Sequence, residues 1–98
     1  MKAFLLTRLA ERDLDQIKRY LVEKAGTRIA RRVMKDLRSA ADLLGEEPGA
    51  GHSREDLTTR TVKFWPVYSY LIVYDPQTKP IQILRVLHGM RDLEEILN

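Results

Sequence analysis

His88, Arg91 and Asp92 fall just past or at the end of an apolar run, Ile81-Gln-Ile-Leu-Arg-Val-Leu-His88, which stops at Gly89. An imidazole titrates near neutral pH and can serve as general acid or base. A neighbouring guanidinium can hold a phosphate. With Arg85 inside the run and Lys63 upstream, these are the chain's candidate groups for acid–base work and for holding an anion. The chain supplies no convincing second base, so the simpler reading has His88 oriented by hydrogen bonds to a strand-to-helix turn. Metal ligation is weaker still. The only other histidine, His52, lies in a Gly/Pro-containing loop, and there is no cysteine.

Other polar groups read as scaffold. Arg54, Asp56, Arg85 and Arg91 could form a charge network linking the loop to the sheet. Arg85 alternates with Ile83 and Leu87, so a partly buried guanidinium there needs a carboxylate. Asp13 lies beside the apolar stripe of a helix, with Tyr20 on the same side. Trp65, Tyr68, Tyr70 and Tyr74 invite a base-stacking reading, with the three tyrosines on one strand face beside Ile72. Aromatic residues are common in strands, however, and core or partner contact is the preferred role.

These residues need a frame. Residues 3–7 read as a short strand. Ala10, Leu14, Ile17 and Leu21 then form one helical stripe, and Gly26 is a stop. Thr27 is placed to cap a second helix. Its stripe is Ala30, Val33, Leu37, Ala40 or Ala41, and Leu44, and Gly45 ends it. Residues 46–56 form a loop whose Gly-x-Gly lacks the flanking strand and helix of a phosphate-binding turn. Strands follow at 60–65, 67–74 and 81–88, with Pro66 separating the first two. In the last strand Ile81, Ile83 and Leu87 should lie on one face and Leu84 and Val86 on the other, so both faces need cover. A short amphipathic run continues through Ile96 and Leu97. Connections this short imply antiparallel neighbours. The expected fold is α+β and two-layered: an antiparallel β-sheet against an α-helical hairpin, order β-α-α-β-β-β, with a short C-terminal helix.

The 98 residues suit one domain spanning 1–98. The amino-terminal apolar run is too short for a signal peptide, and no stretch is long enough to span a bilayer. With no cysteine, a cytoplasmic location is expected. The net charge of +3 is uneven: residues 8–38 hold ten Lys/Arg against five Asp/Glu, whereas residues 88–98 hold one Arg against three acids. A basic hairpin suits an acidic partner or nucleic acid, although a solvated helix face is the simpler explanation of charge alone.

The ordered pattern Ala10…Asp13-Leu14…Ile17…Tyr20, Gly26, Arg54-x-Asp56-Leu57, Tyr70-Leu-Ile-Val-Tyr74 and Ile83-Leu-Arg-Val-Leu-His-Gly89-x-Arg91-Asp92-Leu93 resembles the ParE-type toxins of the RelE/ParE toxin–antitoxin superfamily. The resemblance implies one of two activities on one fold. RelE-like members cut messenger RNA in the ribosome, and ParE-like members poison DNA gyrase. Both are neutralised by an antitoxin. Leu71 stands roughly where the ribonucleases carry a strand arginine, and an aliphatic side chain cannot stabilise a phosphorane. The resemblance therefore implies a non-enzymatic gyrase inhibitor that needs no cofactor and assembles with a ParD-like antitoxin as a hetero-oligomer. Arg28, Arg31, Arg32, Tyr68, Tyr70, His88 and Arg91 are the expected partner-binding residues. The alternative is a RelE-like messenger RNA endonuclease using His88, Arg91, Arg85 and Lys63. A toxin fold that has lost toxicity and only binds is a third reading. For the antitoxin, the uncovered sheet face and the groove beside the hairpin are the expected seats, taken by an acidic amphipathic tail.

Overall fold

Thr7 starts the first helix and ties it to the last strand. Its Oγ1 accepts a hydrogen bond from the Ala10 amide at 3.1 Å and donates to the Leu84 carbonyl at 2.8 Å. One side chain thus satisfies an otherwise unpaired amide of the helix start and a distant strand carbonyl. The computed structural model describes residues 3–54, 56, 58, 60–89 and 96. Strand β1 is Phe4–Leu6, helix α1 Arg8–Ala25, helix α2 Thr27–Glu46, strand β2 Lys63–Val67, strand β3 Tyr70–Asp75 and strand β4 Ile81–His88. A single 3-10 turn at Pro48–Ala50 follows α2.

The helical hairpin forms as its apolar spacing requires. Ala10, Ile17, Val33, Leu37, Ala41 and Leu44 are buried against Tyr70, Ile72, Tyr74, Ile81, Ile83 and Val86 of the sheet, and Ala30 is buried too. Each fully buried large aliphatic side chain contributes roughly 1.5–3 kcal/mol, so this stripe is the main source of helix stability. Gly26 joins the helices at φ 92°, a conformation that favours glycine. It is also the residue preceding α2, so Thr27 is the first helical residue and makes no side-chain cap. Gly45 does not end α2. It lies inside the last turn, where an added Cβ would meet the Ala3 carbonyl oxygen at 2.3 Å.

The sheet order is β1-β4-β3-β2. The expectation of an antiparallel sheet holds for β2–β3 and β3–β4, but β1 runs parallel to β4, so the sheet is mixed. The hairpin between β1 and the later strands carries the chain back across the sheet, which lets the first strand join in the same direction. Pro66 lies inside β2 rather than between strands. β2 is at the sheet's edge, where a missing amide donor is tolerated. The turn falls instead at Tyr68-Ser69, with Tyr68 at φ 55°. Tyr68 therefore does not share the strand face of Tyr70 and Tyr74.

Strand β4 has an irregularity that alternation could not reveal. Ile83 opposes Tyr74 and Arg85 opposes Val73, so Leu84 is an extra residue. Such a bulge reverses the order of faces beyond it. Ile81, Ile83 and Val86 consequently face the helices, while Leu84 and Leu87 face away. The second face is not left open. Val62, Phe64, Leu71, Val73 and Leu87 are buried there, with Leu84 and Ile96 packed against them. The expected C-terminal helix lies outside the described residues except at Ile96.

Candidate functional site

The bulge leaves an arginine at the sheet's edge. β1 pairs with β4 only along Ile81–Ile83. Beyond that point Asp13, projecting from α1, takes the place of a neighbouring strand. Its Oδ2 accepts the Val86 amide at 3.0 Å, and its two carboxylate oxygens accept from Arg85 Nε at 2.8 Å and Nη2 at 3.0 Å. The Asp13 side chain is 8% exposed and that of Arg85 23%. Hydrogen bonding to Asp13 raises the Arg85 pKa beyond its already high ordinary value, against the opposing effect of burial. Arg85 is thus held charged by a partner within the chain. Among the described residues, the anticipated network does not link the loop to the sheet: Arg54 and Asp56 make their own pair, Nη2 to Oδ2 at 2.9 Å, on the exposed loop, and Arg91 lies outside the described residues. Asp13 was legible as a carboxylate beside the apolar stripe of α1. Its match to the one cation inside an apolar strand was the available signal.

The nuclease alternative requires four groups to converge. Lys63 opposes Tyr74 and His88 opposes Tyr70, at the two ends of β3. Four residues of strand separate them, roughly 13 Å along the sheet. His88 is half-buried and meets the Tyr70 ring edge-on at 5.5 Å between centroids. Arg85 is engaged by Asp13, and Arg91 lies outside the described residues. The second histidine, His52, is remote, stacked parallel to Trp65 at 6.3 Å and bridged to Phe64. Among the described residues, no group of three metal-ligating side chains could hold an ion.

Several expected partner residues do come together. Arg28, Arg31, Arg32 and Lys35 of α2 line one shallow concavity with Thr27, Asp36 and Tyr68. Tyr68 reaches across from the β2–β3 turn, and its hydroxyl donates to Asp36. That bond, with a smaller contribution from burial, raises the Tyr68 pKa. Tyr70 is not part of this surface. It is buried under the hairpin, and burial raises its pKa.

A second concavity, of ≈ 790 Å³, lies beside the edge strand β1. Phe4, Leu6, Leu14, Met34, Leu37 and Ala41 supply its apolar lining, and Glu11, Arg38, Asp42 and Glu46 add charge. Behind it, Tyr74 anchors the loop after α2. Its hydroxyl donates to the Pro48 carbonyl at 2.7 Å and accepts the Gly51 amide at 2.9 Å. Only glycine fits at 51, because a Cβ there would come within 2.4 Å of the Tyr74 oxygen.

No helix is long and apolar enough to cross a membrane among the described residues. The sequence and the arrangement of a helical hairpin on a mixed sheet have counterparts. Toxin ParE1 of Caulobacter vibrioides is 30% identical over 88 residues, covering 90% of each protein. A solved structure of the chromosomal ParDE toxin–antitoxin system of P. aeruginosa superposes with a TM-score of 0.75 at 26% identity, covering 90% of this chain and 96% of that one. The family model for the ParE toxin of the type II toxin–antitoxin system parDE matches residues 4–93, from β1 to beyond β4. Matched in sequence along nearly all its length and in fold, the chain belongs to the ParE toxin family of type II toxin–antitoxin systems.

Proposed function

We propose that the protein arrests replication by binding DNA gyrase and stabilising its cleaved DNA complex, without itself catalysing a reaction. Membership in the ParE family supports the toxin role. The observation that carries the choice against RNA cleavage is the bidentate Asp13–Arg85 pair. An arginine already neutralised by an internal carboxylate is poorly placed to stabilise a phosphorane. Leu71 strengthens the choice, because it packs into the second sheet face instead of supplying a cation.

A ParD-like antitoxin neutralises the toxin in a cytoplasmic hetero-oligomer. Its tail takes the apolar groove beside β1, where a short edge strand offers main-chain pairing and Leu14, Met34 and Leu37 offer side-chain anchors. The second sheet face is no longer a candidate seat, because the chain's own Val62 and Ile96 pack there. Three of the four charged residues at the groove are acids, so, in place of the acidic tail expected from the overall charge of the hairpin, the segment entering it should be apolar with a basic flank.

A gyrase supercoiling reaction tests the reading. The folded protein should inhibit supercoiling and raise the amount of cleaved DNA, and its antitoxin should reverse both. Supercoiling left untouched at concentrations that arrest growth would exclude gyrase as the target. Primer extension on ribosome-bound transcripts is the complementary assay: cuts at defined codon positions, abolished by His88→Ala, would identify the RNA-cleaving class instead.

A further inference from the structure

We infer that the outward face of α2 is a sequence-independent binding surface for the phosphate backbone of duplex DNA, formed by Arg28, Arg31, Arg32 and Lys35 with Tyr68 at its border. The inference deepens the gyrase reading and rests on it for its biological setting, since a poison of a DNA-bound enzyme works beside a duplex.

The argument begins with what these charges do to their own helix. Arg28 faces Arg31 and Arg32 at spacings of three and four, and Lys35 faces Arg31 and Arg32 in the same way. Each spacing makes neighbours on a helix surface, so all four are repulsive contacts. A solvated helix face usually interleaves the two signs. Here no acid lies between residues 27 and 35, and the first turn of α2 contains none. Cations at a helix start also oppose the positive end of its dipole. Among the described residues none of the four enters an ion pair. The nearest acid, Asp36, accepts the Tyr68 hydroxyl. The stripe therefore carries a net positive charge that lowers the stability of its own helix, with Asp36 the one acid in its lining.

The chemistry of the surface favours a phosphodiester backbone over an acidic peptide. Its lining holds four cations, Thr27, Asp36 and Tyr68, and no aliphatic side chain. A peptide that folds on binding needs apolar anchors to offset its ordering entropy. Those anchors exist in this protein, but at the groove beside β1. A rigid polyanion needs only matched cations. From residue 28 to residue 35 the stripe runs about 10 Å along the helix. That length meets about three phosphates of one DNA strand at roughly 3.4 Å of rise each.

The test is fluorescence anisotropy of a labelled duplex with the full chain and no gyrase. With three to four phosphate contacts, affinity should fall about 40- to 150-fold between 50 and 200 mM salt. Arg31→Glu with Lys35→Glu should weaken binding at 50 mM by about tenfold or more. Arg60→Glu with Lys79→Glu makes the same change in net charge at the opposite end of the sheet from Tyr68, and should leave affinity within about twofold. Circular dichroism establishes that each variant folds, and Arg28→Gln with Arg32→Gln provides a milder second pair that should also weaken binding.

Equal losses in the stripe and control variants, or no binding at 50 mM, would overturn the inference even if the protein poisons gyrase. So would polyglutamate binding more tightly than DNA through the same four residues, which would assign the surface to an acidic protein. A chain that binds DNA through the stripe yet leaves supercoiling untouched would support the inference and refute the gyrase target.

Discussion

Arg85 and the arginines of α2 carry the same group in opposite circumstances. Arg85 sits at the edge of the sheet, gripped through two nitrogens by a buried carboxylate that also caps the Val86 amide. Arg28, Arg31 and Arg32 project from a helix beside a lysine, with no ion-pair partner among the described residues. An arginine satisfied within the chain ties its own fold together. Arginines left without a carboxylate are available to another molecule. What distinguishes them is the environment each backbone position provides: an open strand edge facing a helix in one case, the outward face of a helix in the other.

The comparison breaks most visibly at Asp13. Asp13→Ala should destabilise the protein by about 3–5 kcal/mol, because it leaves a partly buried guanidinium and a strand amide without their acceptor. Urea unfolding should show the fall as a lower midpoint at unchanged slope. Asp13→Asn, which keeps an acceptor for Val86, should cost less. A loss under about 1 kcal/mol for the alanine variant would mean that the pair is solvated, contrary to its burial.

Tyr74 offers an intermediate case, a buried polar group satisfied without charge. Gly51→Ala should cost about 1–3 kcal/mol through overpacking against the Tyr74 hydroxyl. Burial raises the Tyr74 pKa above its ordinary value, with the Gly51 hydrogen bond opposing the shift. The unfolded chain therefore loses this proton first. The stabilising contribution is fully present below about pH 10 and is lost as pH rises through the folded value. Tyr74→Phe should be less stable at neutral pH, having lost two hydrogen bonds, and should show a shallower alkaline decline. Parallel declines in the two proteins would place the alkaline sensitivity elsewhere.

The smallest expected effect lies on α2. Arg31→Gln should leave stability unchanged or raise it by up to about 0.5 kcal/mol, since it removes like-charge contacts at spacings of three and four. Thermal unfolding at low salt would register the gain, and added salt should erase it. A clear loss of stability would show that Arg31 serves the fold as Arg85 does.

Much of this architecture follows from the sequence alone. The stripes of α1 and α2 and the number and order of strands are local patterns, repeated every three to four residues or every two. Composition and spacing also bring Arg28, Arg31 and Arg32 onto one helix, because residues within seven positions on a helix have fixed relations. The family resemblance was carried by residues in order along the chain. Only the tertiary structure decided what depends on distant segments meeting. The parallel pairing of β1 with β4, the bulge at Leu84, the covering of the second sheet face and the position of Tyr68 beside Asp36 all arise that way. One inserted residue in β4 exchanges the faces of Val86 and Leu87, which periodicity cannot detect before the partner strand is known. The same holds for function: sequence supplied Arg85 as a candidate cation, and only the fold pairs it with a carboxylate 72 residues earlier in the chain. Whether a charge is spent inside the molecule or kept for a partner is a property of the surroundings that folding assembles.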